Sequence, residues 1–174
     1  MLLIKTFGCI IVLISCTMIG YCMKSRIELK LNNLSNMLSC VQFFETEIRY
    51  NMSDILSLFE KVGNIAKGIN SELFEKLIIN HNSKSDTPLS TIWLQTVQET
   101  CTKSNYGNDD KEIISRFGNV LGSGDVDTQL KNLDIFQKNI ESRIKEYEKK
   151  NGQDCKLYSK AGIYIGIVIV ILLI

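Results

Sequence analysis

Residues 43 to 50 read FFETEIRY and place two carboxylates, Glu45 and Glu47, two positions apart. A close carboxylate pair is the raw material of general acid and base chemistry. On a helix, however, residues two apart point about 200° from each other. Glu45 and Glu47 then face different sides and do not converge on one substrate atom. Glu45 and Arg49 are four apart with the acid first, the better order for a helix ion pair. Six cysteines and one histidine, His81, are the soft metal ligands available. Cys40, Cys101 and Cys155 are scattered, with no CxxC among them, and no zinc site is built from this set. Leu121-Gly122-Ser123-Gly124-Asp125 invites a phosphate-loop reading. It lacks a preceding strand and the GK[ST] signature, and its glycine spacing is wrong for a dinucleotide loop. No nucleophile with its base is visible, so the sequence predicts no enzyme, no cofactor and no small-molecule substrate.

The element that carries FFETEIRY is a helix predicted from about Lys24 to Tyr50, with Leu31, Leu34, Leu38, Val41 and Ile48 as its apolar set. With Val41 at the centre of that stripe, Glu45 falls about 40° away, inside it, and Glu47 falls well outside. Two readings of Glu45 stand. It forms a modest surface pair with Arg49, or it enters a bundle seam and needs a partner there. The second is favoured, which makes Glu45 and Arg49 structural and Glu47 the more exposed. Phe43 and Tyr50 lie opposite the stripe with Glu47 between them. A helix apolar on two sides is usually sandwiched in its own domain, and otherwise these three residues are candidates for a partner contact. Gly122 or Gly124 ends one helix with positive φ, and Asp125 caps the next.

The rest of the middle region is helical too. A second helix starts at Ser53 or Asp54 and runs through Leu58, Phe59 and Val62, with Gly63 and Gly68 marking its end. A third covers about 71–81. Thr87-Pro88 opens a fourth, with Thr as the cap and Pro in the first turn. A fifth runs from Asp109 to Leu121, with Asp109, Asp110 and Glu112 in its first turn, where the helix dipole favours them. The sixth is long and heptad-like through Leu130, Leu133, Ile140, Ile144 and Tyr147, with Gln137 interrupting the seam and Gly152 as the expected break.

The ends differ from the middle. Thr6 to Met23 holds no charge, and Leu157 to Ile174 holds only Lys160. Each span of 18 residues extends roughly 27 Å as a helix, close to a hydrocarbon core. The predicted organisation is a transmembrane anchor over 1–23, a helical bundle over 24–156 and a transmembrane helix over 157–174. The first segment also has the look of a signal peptide, or of a lipoprotein box at Cys16. The apolar run continues past Cys16 into Lys24, Arg26 and Lys30, which favours a retained anchor. Basic residues flank both segments on the middle-region side, so 24–156 is expected in the cytoplasm. Lys plus Arg is 20 against Asp plus Glu 19, a balance that gives no sign of nucleic-acid binding.

Three stretches together carry a resemblance: Glu45-Thr46-Glu47-Ile48-Arg49-Tyr50, then Leu121-Gly122-Ser123-Gly124-Asp125 followed by Gln129, and the end from Lys160-Ala161-Gly162 to Ile171-Leu172-Leu173-Ile174. In their order, spacing and total length the chain resembles the stage III sporulation protein AB family of endospore-forming bacteria. It departs after Tyr50, where Asn51-Met52-Ser53-Asp54 stands in place of the family's frequent Thr-Pro, and at Gly124, where the family often has a larger polar residue. The resemblance implies an all-α domain of about six helices between two membrane helices, similar to a cytoplasmic domain of the type II secretion platform protein. It implies a non-enzymatic subunit of the channel complex linking mother cell and forespore. The implied place is the outer forespore membrane, with the domain in the mother cell cytoplasm. The implied partners are the lipid bilayer and the other stage III sporulation complex proteins, notably the stage III sporulation protein AA ATPase. The alternative is a membrane-tethered helical sensor or stress protein unrelated to secretion.

Overall fold

The structure is a computed structural model. It describes the backbone of residues 2–51, 55–84, 86–102, 104, 106–121 and 125–173, and the side chains of 14, 15, 18, 21, 22, 24–50, 55–84, 86–102, 104, 106–121 and 125–150. Seven helices and no strand are found among the described residues: α1 (Leu2–Asn51), α2 (Ile55–Ile65), α3 (Ile69–Ser83), α4 (Leu89–Cys101), α5 (Asn108–Ser115), α6 (Gly118–Leu121) and α7 (Val126–Leu173). The chain divides into two compact units, one made of Met1–Leu29 with Glu146–Ile174, the other of Lys30–Lys145.

The unit 1–29 with 146–174 consists of the outer parts of α1 and α7. Its described side chains include two ion pairs between residues four apart, Lys24 with Glu28 and Lys150 with Glu146. The segments expected to span a membrane, 1–23 and 157–174, lie with most of their side chains outside the described residues. Among the described residues no helix is long and apolar enough to cross a membrane. α7 runs without interruption past Gly152, the expected break. A single glycine inside a helix costs only about 1 kcal/mol relative to alanine.

The unit 30–145 is a helical bundle built on aromatic rings. Phe44 of α1, Phe59 of α2, Phe74 of α3, Trp93 of α4 and Phe117 between α5 and α6 form a closed chain of contacts, with centroids 5.0 to 6.2 Å apart. Phe136 of α7 joins it through Phe117 at 5.2 Å. Each of six chain segments contributes one ring, and all six rings are buried. Tilted and edge contacts of this kind add about 0.5–1.5 kcal/mol per pair beyond the area buried. Leu34, Met37, Leu58, Leu73, Leu77, Ile92, Ile114, Leu133 and Ile140 are among the aliphatic side chains buried with them.

Local chemistry sets the turns. Gly68 takes φ 58° between α2 and α3, a backbone that side chains with Cβ rarely adopt. Pro88 stands at the N-cap of α4, one place earlier than the sequence suggests. Its carbonyl accepts from Thr91 and Ile92 N–H. The expected fifth helix is two helices, α5 and α6, with Arg116 and Phe117 as a turn. Phe117, Asn119 and Val120 N–H each bond three residues back, the tighter 3₁₀ pattern. The turn drives Phe117 into the ring cluster. A Cβ on Gly118 would stand 3.2 Å from Trp93 Cδ1 and 3.3 Å from the Ser90 carbonyl oxygen, so α6 begins at its closest approach to α4.

Candidate functional site

α1 presents the residues that the sequence singles out, and its buried side is not centred on Val41. Leu34, Met37, Cys40, Val41, Phe44 and Glu47 are the buried residues of its inner half. Their mean direction lies between Met37 and Phe44, about 50° from Val41 on the side of Cys40. Glu47 then falls about 70° from the centre and Glu45 about 90°. The order expected for the two acids is therefore reversed. Glu47 is 8% exposed, while Glu45 is half-buried with its side chain 25% exposed. Cys40, which packs as a small apolar residue, is the signal in the sequence that shifts the stripe.

Both carboxylates have partners. Glu47 Oε2 accepts from Lys61 Nζ of α2 at 2.6 Å. Glu45 Oε1 accepts from Arg49 at 2.6 Å, and its Oε2 accepts from Gln137 Nε2 of α7 at 2.6 Å. These two hydrogen bonds, Arg49's first, hold the Glu45 carboxyl below its usual range. Glu45 thus combines the two readings of it, a helix ion pair and a contact across the seam, and Gln137 is the residue that interrupts the apolar pattern of α7. Of the partner-contact candidates, Tyr50 is 75% exposed and Phe43 is half-buried. Glu47, turned inward to Lys61, does not have the exposure expected of it. Asp125 stands before α7 and its Oδ1 accepts from Thr128 N–H at 2.8 Å, an N-cap bond. The Thr128 side chain first, and this backbone bond second, hold the Asp125 carboxyl below its usual range. Gly122 lies outside the described residues.

A second polar assembly has less signature in the sequence. Asp110 is fully buried. Its Oδ2 accepts from Gly107 N–H and its Oδ1 from Arg143 Nε of α7, both at 2.8 Å. Arg143 also reaches Asp109 at 2.8 Å. The sequence places Asp110 among the acids of a first turn but does not show that a cation nearly at the other end of the unit would cover it. Nearby in the chain, Tyr106 donates its hydroxyl to buried Asn70 Oδ1 at 2.7 Å. Asn70 in turn donates to the Asn33 carbonyl oxygen at 2.8 Å and to Asn36 Oδ1 at 3.1 Å. Burial pushes the Tyr106 phenol well above its ordinary value. These bonds tie α1, the start of α3 and the loop before α5 at one polar layer. Each buried amide atom that is paired avoids a penalty of about 1–3 kcal/mol.

The described buried cysteines are not set up as nucleophiles. Cys40 and Cys101 are buried, and burial raises both thiols, Cys40 to about 11, which disfavours the nucleophilic thiolate. Among the described residues no group of three or more His, Cys, Asp and Glu side chains is placed to hold a metal ion. A surface depression beside the polar layer is lined by Asn32, Asn33, Ser35, Asn36, Ser39 and Lys67 with Gly68. It offers amides, hydroxyls and one cation, and no acid-base pair.

Comparison with known proteins gives consistent results. The family model described as stage III sporulation protein AB matches residues 5–174. Stage III sporulation protein AB of Bacillus subtilis (strain 168) is 19% identical over 171 residues, which covers 98% of this chain and 99% of the relative. A solved structure of a stage III sporulation protein AB superposes with a TM-score of 0.65 at 19% identity, covering 71% of this chain and 96% of that one. At that identity the structural likeness speaks for the fold.

Proposed function

The chain belongs to the stage III sporulation protein AB family, and from that premise we propose that it is a non-enzymatic platform subunit of a secretion-like channel complex between mother cell and forespore. The observation that carries the reading is the family match over nearly the whole chain, 5–174. The bundle supports it. Its described buried carboxylates and amide are held by structural partners, Glu47 by Lys61, Asp110 by Arg143 and Asn70 by Tyr106. In this proposal segments 1–23 and 157–174 anchor the chain in the outer forespore membrane. The bundle sits in the mother cell cytoplasm and docks the stage III sporulation protein AA ATPase, with exposed Tyr50 and half-buried Phe43 on the contact. The basic residues beside both apolar segments motivate the topology.

Deletion in the native host tests the reading. The expected result is a block after engulfment with normal vegetative growth, and co-purification of the ATPase with the tagged chain. Normal spore counts would overturn the sporulation assignment. Normal ATPase recovery from a Tyr50→Ala chain would remove that residue from the contact. For topology, Cys101 is a poor probe because it is fully buried. A cysteine introduced at exposed Gln98 is the better one. It is expected to resist a membrane-impermeant thiol reagent in intact cells, relative to the parent chain. Labelling there would place the bundle on the opposite side.

A further inference from the structure

The part of α7 inside the bundle carries an apolar seam that does not fix its own position. Leu133 and Ile140 are buried seven residues apart, and Leu130, Gln137 and Ile144 form the flanking row at the same spacing. A slide of seven residues moves the helix roughly 10 Å along its axis. In one direction Ile140 comes to the place of Leu133 and Ile144 to the place of Gln137. In the other direction Leu133 comes to the place of Ile140 and Leu130 to the place of Gln137. At these seam positions apolar burial discriminates weakly between the registers, as in any heptad pattern, and Phe136 is the one buried apolar side chain beside the seam whose places seven residues away, Gln129 and Arg143, are polar.

Two polar contacts do discriminate. Gln137 donates to Glu45 of α1 at 2.6 Å, and six residues on, Arg143 donates to Asp110 and Asp109 of α5, both at 2.8 Å. Either slide takes Gln137 from Glu45. One slide brings Arg143 to the place of Phe136, against the Phe117 ring that Phe136 meets at 5.2 Å. The other brings Phe136 to the place of Arg143 and sets an aromatic ring on the fully buried Asp110. Each outcome buries a charge away from its counter-ion, which is far more costly than an imperfect apolar contact.

The geometry points to Gln137 and Arg143 as register keys, which fix the axial position of α7 against α1 and α5 where the repeating seam leaves it undetermined. Buried polar groups of helical assemblies are best attested in this role, and they hold register at some expense of stability.

The test uses the full chain with nitroxide-bearing keto amino acids at exposed Gln42 on α1 and exposed Lys131 on α7, so that native cysteines stay in place. The unmodified seam is expected to give one narrow distance by pulsed electron resonance. The keyless variant Asp110→Asn/Gln137→Leu/Arg143→Leu keeps an acceptor for Gly107 N–H. It is expected to stay helical and to show a second distance population, consistent with a slide of roughly 10 Å. Gln137→Leu alone and Arg143→Lys alone each keep a cation on Asp110 and are expected to hold the single distance. A folded keyless variant with one unshifted distance would overturn the assignment. So would a second distance in Arg143→Lys, or loss of helicity in the keyless variant, because a device of register is dispensable to folding itself.

Discussion

Replacing Arg143 by methionine is expected to destabilise the bundle more than any surface change in the chain. The side chain is 14% exposed and its partner Asp110 is fully buried, with 2.8 Å between Nε and Oδ1. Methionine preserves much of the volume but removes the cation, and the Asp110 carboxylate stays where water does not reach. Breaking a buried pair in this way costs about 3–5 kcal/mol. Against a domain stability on the order of 5–15 kcal/mol, that is roughly a fifth or more of the total. At roughly 4 °C per kcal/mol for a unit of this size, the midpoint falls by about 12–20 °C. The assay is a double-mutant cycle by urea and thermal melts of the full chain, followed by far-ultraviolet circular dichroism. Its corners are the parent, Arg143→Met, Asp110→Asn and the double variant. Asp110→Asn retains the Gly107 contact, so the double variant is expected to be more stable than Arg143→Met alone, with a coupling of about 1–3 kcal/mol. A cost for Arg143→Met below about 1 kcal/mol, together with additive single effects, would refute the reasoning, since it would mean that Asp110 needs no counter-charge.

Three further outcomes are expected. Lys61→Ala takes the ammonium from a carboxylate whose side chain is 11% exposed, so it should cost about 1–3 kcal/mol, whereas Lys138→Ala, whose pair with Asp134 is exposed, should change stability by under about 0.5 kcal/mol; equal losses in denaturant melts would contradict the burial of Glu47. The lowered Glu45 carboxyl contributes stability that is present above the unfolded carboxylate value and lost as pH falls through the lower folded one. The acid limb of the melting profile is expected to flatten in Glu45→Gln, and an unchanged limb would remove Glu45 as its source. Gly118→Ala places a methyl 3.2 Å from Trp93 Cδ1 and should cost about 1–3 kcal/mol by overpacking, with a shift in Trp93 fluorescence; an unperturbed melt would show that α6 can back away.

The helices were legible because each one carries apolar residues at three- and four-residue spacing. The aromatic residue of every segment fell within its predicted core face or beside it, as with Phe44, Phe59, Phe74 and Trp93. The boundaries at Gly68 and Pro88 were legible to within a residue or two, whereas Gly152 lies inside α7 and marks no break. The split of α5 from α6 was not, because Ile113, Ile114, Phe117, Val120 and Leu121 keep the same pattern whether or not the backbone tightens at Arg116. What closes that turn is the fit of Gly118 against Ser90 and Trp93, a contact between residues distant in the chain.

The acids divide along the same line. Glu45 and Arg49 could be paired from spacing alone, and Asp125 could be placed at a cap, because both interactions lie within one turn of helix. By itself the sequence also determined an all-helical middle region and two apolar ends. Tertiary structure alone decided which side of α1 is inner, since a stripe with Cys40 at its edge can be centred in two ways. That choice turned Glu47 toward Lys61 and left Glu45 at the margin with Gln137. It also decided that Asp110 is covered by Arg143 and Asn70 by Tyr106. Those pairs join residues 33 and 36 positions apart, and local periodicity carries no information about which distant donor meets a buried acceptor. Only the packing of α5 and α7, and of α3 against the loop before α5, brings them within hydrogen-bond reach.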